Sequence, residues 1–234
     1  MKVIILAGGL GTRISEETSD KPKPMVLLNQ KPILWHIMSI YADQGFSEFI
    51  VATGYKGEVI SDWVTNLNSD WKIQVFDTGI DTQTGGRVKL CMNLVPGEPV
   101  FVTYGDGLAN VDLHKLMEFH HNHGKLASLT AVRPPARFGY LELDGSRVVN
   151  FGEKKQSQAG WINGGFFLFE PEVESYILGI SEPLEIGALP SLAERSQLMA
   201  FSHIGFWQPM DTLREKNDLN LLALEETPPW LQRK

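Results

Sequence analysis

The sequence predicts an α/β fold, with a mainly parallel sheet flanked by helices in the first half and a mixed, strand-rich second half. Three observations predict it. Apolar runs of strand length, rich in β-branched residues, alternate with segments of helical spacing. The first run ends at once in Gly8-Gly9-Leu10-Gly11, the kind of tight turn that joins strand to helix in parallel α/β units. After residue 135 the helical segments thin out and strands follow one another, which mixes the sheet. The whole chain, 1–234, reads as one domain, with 1–135 mainly binding one ligand and 136–234 mainly building a second, smaller part with a C-terminal helix.

The elements follow in order. Residues 2–6 form a buried strand. Residues 33–44 have helical apolar spacing through Ile33, Ile37, Ile40 and Tyr41, with Pro32 at the start and Gly45 at the end. Residues 49–53 form a second strand, 57–67 a second helix and 73–76 a third strand. Residues 88–94 are helical, and 99–104 form an apolar strand that stops at Gly105-Asp106-Gly107. A helix over 113–123 leads to a strand over 127–132. Strands follow over 140–143, 148–151 and 163–169, and a helix over 212–224 completes the order.

Composition excludes several classes. The 21 Lys and Arg against 28 Asp and Glu give a net charge of −7, which argues against a general nucleic-acid or membrane-surface binder. The single cysteine, Cys91, cannot form an internal disulfide and fits a reducing cytoplasm, where it reads as a small buried hydrophobe. No run of about 18 apolar residues exists, so no membrane span is expected.

The loop after the first strand carries chemistry. Glycine lets backbone N–H groups approach a ligand, and Thr12 and Arg13 add a hydroxyl and a fixed positive charge, a set that suits a polyphosphate. The loop is neither a dinucleotide fingerprint, which needs glycine where Ile14 stands, nor a P-loop, which needs Lys-Ser/Thr where Thr12-Arg13 stands. Lys21-Pro22-Lys23-Pro24-Met25 supplies further cations. Asp106, between two glycines at a strand end, suits a Mg²⁺ ligand facing phosphates, or else a simple turn. Asp211 suits the same ion or the N-cap of the helix that follows it. Thr82-Gln83-Thr84-Gly85-Gly86-Arg87 is a second glycine turn ending in a guanidinium. Glu153 and Lys154 suit a sugar phosphate or a solvated charged turn, and Asn163-Gly164 offers an amide and close backbone approach. His120, His121 and His123 lack metal-ligand spacing and read as surface residues. No serine or cysteine stands in a nucleophile motif, so direct transfer between two bound ligands is the economical mechanism.

These motifs resemble the sugar-1-phosphate nucleotidylyltransferases. The resemblance rests on Leu6-Ala7-Gly8-Gly9-Leu10-Gly11-Thr12-Arg13 with Lys21-Pro22-Lys23-Pro24-Met25. Thr84-Gly85-Gly86-Arg87, Tyr104-Gly105-Asp106-Gly107, Arg137-Phe138-Gly139, Ile162-Asn163-Gly164-Gly165 and Gly205-Phe206-Trp207-Gln208-Pro209-Met210-Asp211 narrow it to the glucose-1-phosphate cytidylyltransferase branch. The resemblance implies a Rossmann-like fold with a smaller sugar-binding part, and the reaction of CTP with glucose 1-phosphate to give CDP-glucose and pyrophosphate. It also implies Mg²⁺ as cofactor, a homo-oligomer, and a role in bacterial surface polysaccharide such as O-antigen. Carried over by position, Leu6, Ala7, Gly8, Gly9, Leu10, Gly11, Thr12, Arg13, Lys23, Thr82, Arg87 and Gly105 would contact the nucleotide. Arg13 and Lys23 would be catalytic, and Asp106 and Asp211 would hold Mg²⁺. Gly139, Glu153, Lys154 and Asn163 would surround the sugar phosphate. The segment between Trp63 and Asp77 is shorter than in the enterobacterial-type enzyme. The alternatives are the same chemistry with another nucleotide or sugar phosphate, and a non-catalytic nucleotide-sugar sensor.

Overall fold

The computed structural model describes residues 1–134, 139–153 and 160–232, with 139–143 and 150–153 described in backbone only. The element order begins β1 (Val3–Leu6), α1 (Ser15–Thr18), β2 (Leu27–Leu28), β3 (Lys31–Pro32), α2 (Ile33–Ala42), β4 (Glu48–Thr53) and α3 (Gly57–Thr65). It continues through β5 (Lys72–Asp77), α4 (Thr84–Met92), β6 (Val100–Tyr104), β7 (Gly107–Ala109), α5 (Leu113–His123) and β8 (Ala127–Val132). The second half contains β9 (Gly139–Asp144), β10 (Arg147–Glu153), β11 (Ile162–Asn163), β12 (Phe167–Phe169), α6 (Ala188–Glu194), β13 (Leu198–His203), β14 (Trp207–Pro209) and α7 (Leu213–Leu222).

The expected mixed, mainly parallel sheet is present. β1 lies between β4 and β6, parallel to both, and β4 is followed by parallel β5. β12 runs antiparallel between β6 and β8, and β13 pairs parallel with the other edge of β8. The chain thus moves outward from β1 to β4 and β5, then returns to β6 on the other side. That reversal is the switch point at which open α/β sheets bind ligands beyond the carboxyl ends of the strands. Leu6 pairs with both Ala52 and Tyr104, so the loops after β1, β4 and β6 leave the sheet at one level.

Alternation along the strands divides the core in two. Val3 and Ile5 face a layer that contains Ile37, Tyr41 and Leu116, while Ile4 and Leu6 face Val88, Leu189 and Leu192. Val3, Ile4 and Ile5 are fully buried, each contributing roughly 1.5–3 kcal/mol of burial.

Several expectations are corrected. The strand expected over 163–169 is broken into β11 and β12, because Gly165 and Phe166 take positive φ (76° and 49°) to turn the Phe166 ring onto Tyr41, centroids 5.9 Å apart. The helix expected at 88 begins at Thr84, so Gly85 and Gly86 are helical and not a turn. A Cβ on Gly85 would meet the Glu182 carbonyl at 2.6 Å, so close packing against the 180–184 segment explains the glycine pair. His120 is not a surface residue but is 1% exposed. Lys125 N–H donates to His123 Nδ1 (2.9 Å), which leaves the His123 proton on Nε2 facing Ser128 Oγ (2.7 Å). The Ser128 hydroxyl then donates to His120 Nδ1 (2.8 Å), and His120 Nε2–H donates to Glu170 (3.1 Å). Cys91 is buried as expected, and burial pushes its thiol up to about 12. No helix among the described residues is long and apolar enough to cross a membrane.

Candidate active site

A cleft of about 410 Å³ opens at the switch point. One wall is the run from Leu6 to Arg13. Gly11 takes φ 66°, a left-handed conformation that favours glycine, and starts a 3-10 turn over Thr12–Ile14. Ile14 is fully buried, and the Thr18 hydroxyl donates to the carbonyls of Gly11 (3.1 Å) and Ile14 (3.2 Å). The loop is therefore anchored at its base while Gly9, Leu10 and Thr12 stay exposed at its tip.

Lys23 enters from a second 3-10 turn, Lys23–Met25, fixed by Pro22 and Pro24, with Pro24 and Met25 buried. Lys21 is not among the residues lining the cleft. Asp106 follows β6. Asp211 reaches the same place because β14 pairs antiparallel with β7, Pro209 opposite Gly107, and Met210 N–H donates to the Asp106 carbonyl at 2.8 Å. That short two-stranded ribbon had no legible signal in the sequence. Asp211 is also not the helix N-cap. Thr212 caps α7 in a capping box with Glu215, which leaves the Asp211 carboxylate free to face the cleft.

The charged groups meet at one point. Lys23 Nζ lies 2.7 Å from Asp106 Oδ2 and 2.8 Å from Asp211 Oδ1, and Arg13 lies 3.1 Å from Asp211 Oδ2. Two carboxylates and two cations make a cluster of zero formal charge. Burial works against the Lys23 ammonium, but the charges and hydrogen bonds of Asp106 and Asp211 outweigh it and hold the amine above its ordinary value. Burial likewise works against the Asp211 carboxylate, and Lys23 and Arg13 outweigh it, so its pKa is lowered.

Arg87 and Thr82 also line the cleft, but both are largely buried. The Arg87 guanidinium donates to the carbonyls of Thr53 (2.7 Å) and Gly8 (3.0 Å) and to the Thr78 hydroxyl, and burial lowers its pKa. It lies beneath Gly8, where a Cβ would collide with it. Thr82 donates to the Thr78 carbonyl at 2.5 Å. Gly105 lies where a Cβ would meet the Leu6 carbonyl at 2.6 Å.

On the other wall, Asn163 Nδ2 donates to the Tyr104 hydroxyl (3.1 Å), which donates to Glu185 Oε1 (2.5 Å), and Thr84 donates to Glu185 Oε2 (2.7 Å). Tyr104 and Thr84 line the cleft, and burial together with Glu185 raises the Tyr104 pKa. Sequence reasoning missed both roles. Tyr104 had a signal in its place beside Gly105-Asp106, whereas Glu185 lies in a connecting segment with no motif. Gly139 and Glu153 face each other in register across the β9–β10 hairpin. Lys154, like Arg137 and Phe138 of the resemblance, lies outside the described residues.

The donor set suits a hard divalent cation. Among the described residues no group of three or more His, Cys, Asp or Glu is placed to hold an ion. Two hard carboxylates beside an anion loop fit an ion that takes few protein ligands and completes its shell with phosphate and water, as Mg²⁺ does.

A glycine loop at the switch point of a mainly parallel sheet, with cations and carboxylates converging on it, is the arrangement of α/β proteins that bind phosphorylated ligands. Residues 2–208 match the family model described as Nucleotidyl transferase, and the chain belongs to that family. It is similar along its length to the glucose-1-phosphate cytidylyltransferase of Salmonella typhi, 44% identical over 253 positions covering 98% of each chain. The probable glucose-1-phosphate cytidylyltransferase of Bacillus subtilis is 38% identical, with 98% of this chain and 99% of that one covered. Among solved structures, HddC from Yersinia pseudotuberculosis complexed with GMP-PN has a TM-score of 0.75 at 25% identity over 94% of this chain and 98% of that one. The Salmonella alignment has more positions than this chain has residues, so that relative carries residues this chain lacks. In this chain residues 66–71 alone join α3 to β5.

Proposed function

We propose that this chain transfers the cytidylyl group of CTP to α-D-glucose 1-phosphate, giving CDP-glucose and pyrophosphate. The observation that carries the reading is the convergence of Arg13, Lys23, Asp106 and Asp211 on one cleft beside the glycine loop. Full-length similarity to the Salmonella cytidylyltransferase supports the choice of base and sugar.

In this reading an oxygen of the sugar phosphate forms a bond to the α-phosphorus of CTP, and the bond from that phosphorus to the bridging oxygen of pyrophosphate breaks. The attacking oxygen is already anionic, so no general base is required. The obstacle is repulsion between two anions, and the protein answers it with position and charge. Backbone from Leu6 to Thr12, with Thr82 and Gly105, seats the nucleotide. Arg87 fixes Gly8 from below, which keeps the cradle in shape. Arg13 binds the β- and γ-phosphates of the leaving group, and Lys23 stabilises charge that develops at the α-phosphate. Asp106 and Asp211 hold Mg²⁺, which when bound supplies charge neutralisation across the phosphates. Gly139, Glu153, Lys154 and Asn163 receive the sugar phosphate. Residues 1–135 are thus chiefly the nucleotide part and 136–234 chiefly the sugar part of one domain, acting in the cytoplasm within a homo-oligomer, and the product feeds surface-polysaccharide synthesis.

Pyrophosphate release measured with each of CTP, UTP, dTTP and GTP, against several sugar 1-phosphates, tests the reading. CTP with glucose 1-phosphate should give the highest kcat/KM. A higher value for another pair reassigns the substrates, and tight CTP binding without turnover with any sugar phosphate would make the chain a sensor.

A further inference from the structure

The two carboxylates expected to hold a divalent cation already hold a cation. Lys23 Nζ sits between them, 2.7 Å from Asp106 Oδ2 and 2.8 Å from Asp211 Oδ1, and only 12% of its side chain is exposed. An ion bound to the same two oxygens at about 2.0–2.1 Å would fall in the space this ammonium occupies. A monovalent and a divalent cation that close, at a partly buried point, repel strongly. The site therefore has room for one of them at a time. Arg13 differs: it bonds the outer oxygen of Asp211, Oδ2, and its side chain is 76% exposed, so it can stay while the inner position changes hands.

We propose that Lys23 is the resident counter-ion of the metal site, and that the ammonium and the divalent cation exchange places when nucleotide binds. The exchange needs a destination for Lys23, and an incoming phosphate is one. Free metal then binds the empty protein weakly, because it must expel Lys23 onto no partner. Metal arriving with a polyphosphate binds well, because the phosphate takes the ammonium as the carboxylates take the metal. The two ligands are positively coupled through one side chain. The proposal rests on the cytidylyl-transfer reading only for the identity of the nucleotide.

Binding of Mn²⁺ to the nucleotide-free protein, read from the free-ion electron paramagnetic resonance signal, tests it. Lys23→Met should bind Mn²⁺ at least about tenfold more tightly than the wild type, the scale of removing one close like charge at a partly buried site. Adding Asp106→Asn to that variant should remove the gain. Equal or weaker Mn²⁺ binding by a folded Lys23→Met overturns the proposal. A second measurement uses the unaltered chain. At Mn²⁺ concentrations that saturate the site, acylation of Lys23 by an amine reagent, read by mass spectrometry, should rise several-fold relative to the other lysines. Unchanged reactivity overturns the proposal even if the variant does not fold. The two readings fail separately. Tighter Mn²⁺ binding by Lys23→Met with no CDP-glucose synthesis by the unaltered chain removes the activity and leaves the exchange, whereas synthesis by the unaltered chain with no Mn²⁺ effect in the variant removes the exchange alone.

Discussion

Lys23 bridges two carboxylates, and in the proposed reaction the same ammonium faces the α-phosphate. Its loss removes both effects. Lys23→Ala should lower kcat by more than ~100-fold, the scale of removing one electrostatic stabiliser. Near-normal turnover in that variant removes Lys23 from the catalytic machinery. Asp106→Asn should raise the Mg²⁺ concentration needed for half-maximal rate, and an unchanged metal titration counts against Asp106 as a ligand. Both residues were legible in the sequence, Lys23 from its proline-flanked place near the glycine loop and Asp106 from its place between glycines at a strand end. What the sequence did not show is that they touch. Arg87 was legible as a cation near the cleft, but its depth was not. Only the fold reveals that its guanidinium is spent on the carbonyls of Gly8 and Thr53.

Among elements, the long ones were readable because their apolar faces repeat with a clear period. β1, β4, β6, α2 and α5 lie where that period places them, within a residue or two at the ends. The short ribbon of β7 and β14 was not readable, since three residues carry too little pattern. Yet this ribbon brings Asp211 to Asp106. α7 contributes from its other side through the capping box of Thr212 and Glu215, which sets the backbone just after Asp211. Thr212→Ala should destabilise the protein by about 1 kcal/mol, the usual cost of an N-cap, and should weaken metal-dependent activity beyond that loss. Denaturant unfolding together with a Mg²⁺ titration of the rate checks both, and an unaltered midpoint with unaltered titration removes the role.

For the whole molecule, acid stability follows from four histidines. Burial is the largest influence on His36, His120, His123 and His203, and all four pKa values are lowered from 6.5. The unfolded chain therefore binds more protons than the folded one between the lowered values and 6.5. Stability is full above about pH 6.5 and falls as the pH drops through that value toward the folded ones. The chain from Lys125 through His123, Ser128 and His120 to Glu170 adds to the effect. A proton added at His123 Nδ1 removes the acceptor for Lys125 N–H, and one added at His120 Nδ1 removes the acceptor for Ser128. Tm measured by circular dichroism should fall between pH 7.0 and 5.5, and a constant or rising Tm refutes this account.

The sequence by itself determined the class of sheet, the glycine loop after its first strand and the residue types that line the cleft. These depend on local periodicity, on glycine's freedom at the turn and on charge, all of which are written in short windows of sequence. Tertiary structure alone decided which distant groups meet. It brought Asp211 beside Asp106 and Lys23, placed Arg87 under Gly8, joined Asn163 to Tyr104 and Glu185, and buried His120. The physical reason is that such contacts depend on strand register and on the packing of segments far apart in the chain, from 59 residues for Asn163 and Tyr104 to 188 for Lys23 and Asp211, and no local pattern encodes them.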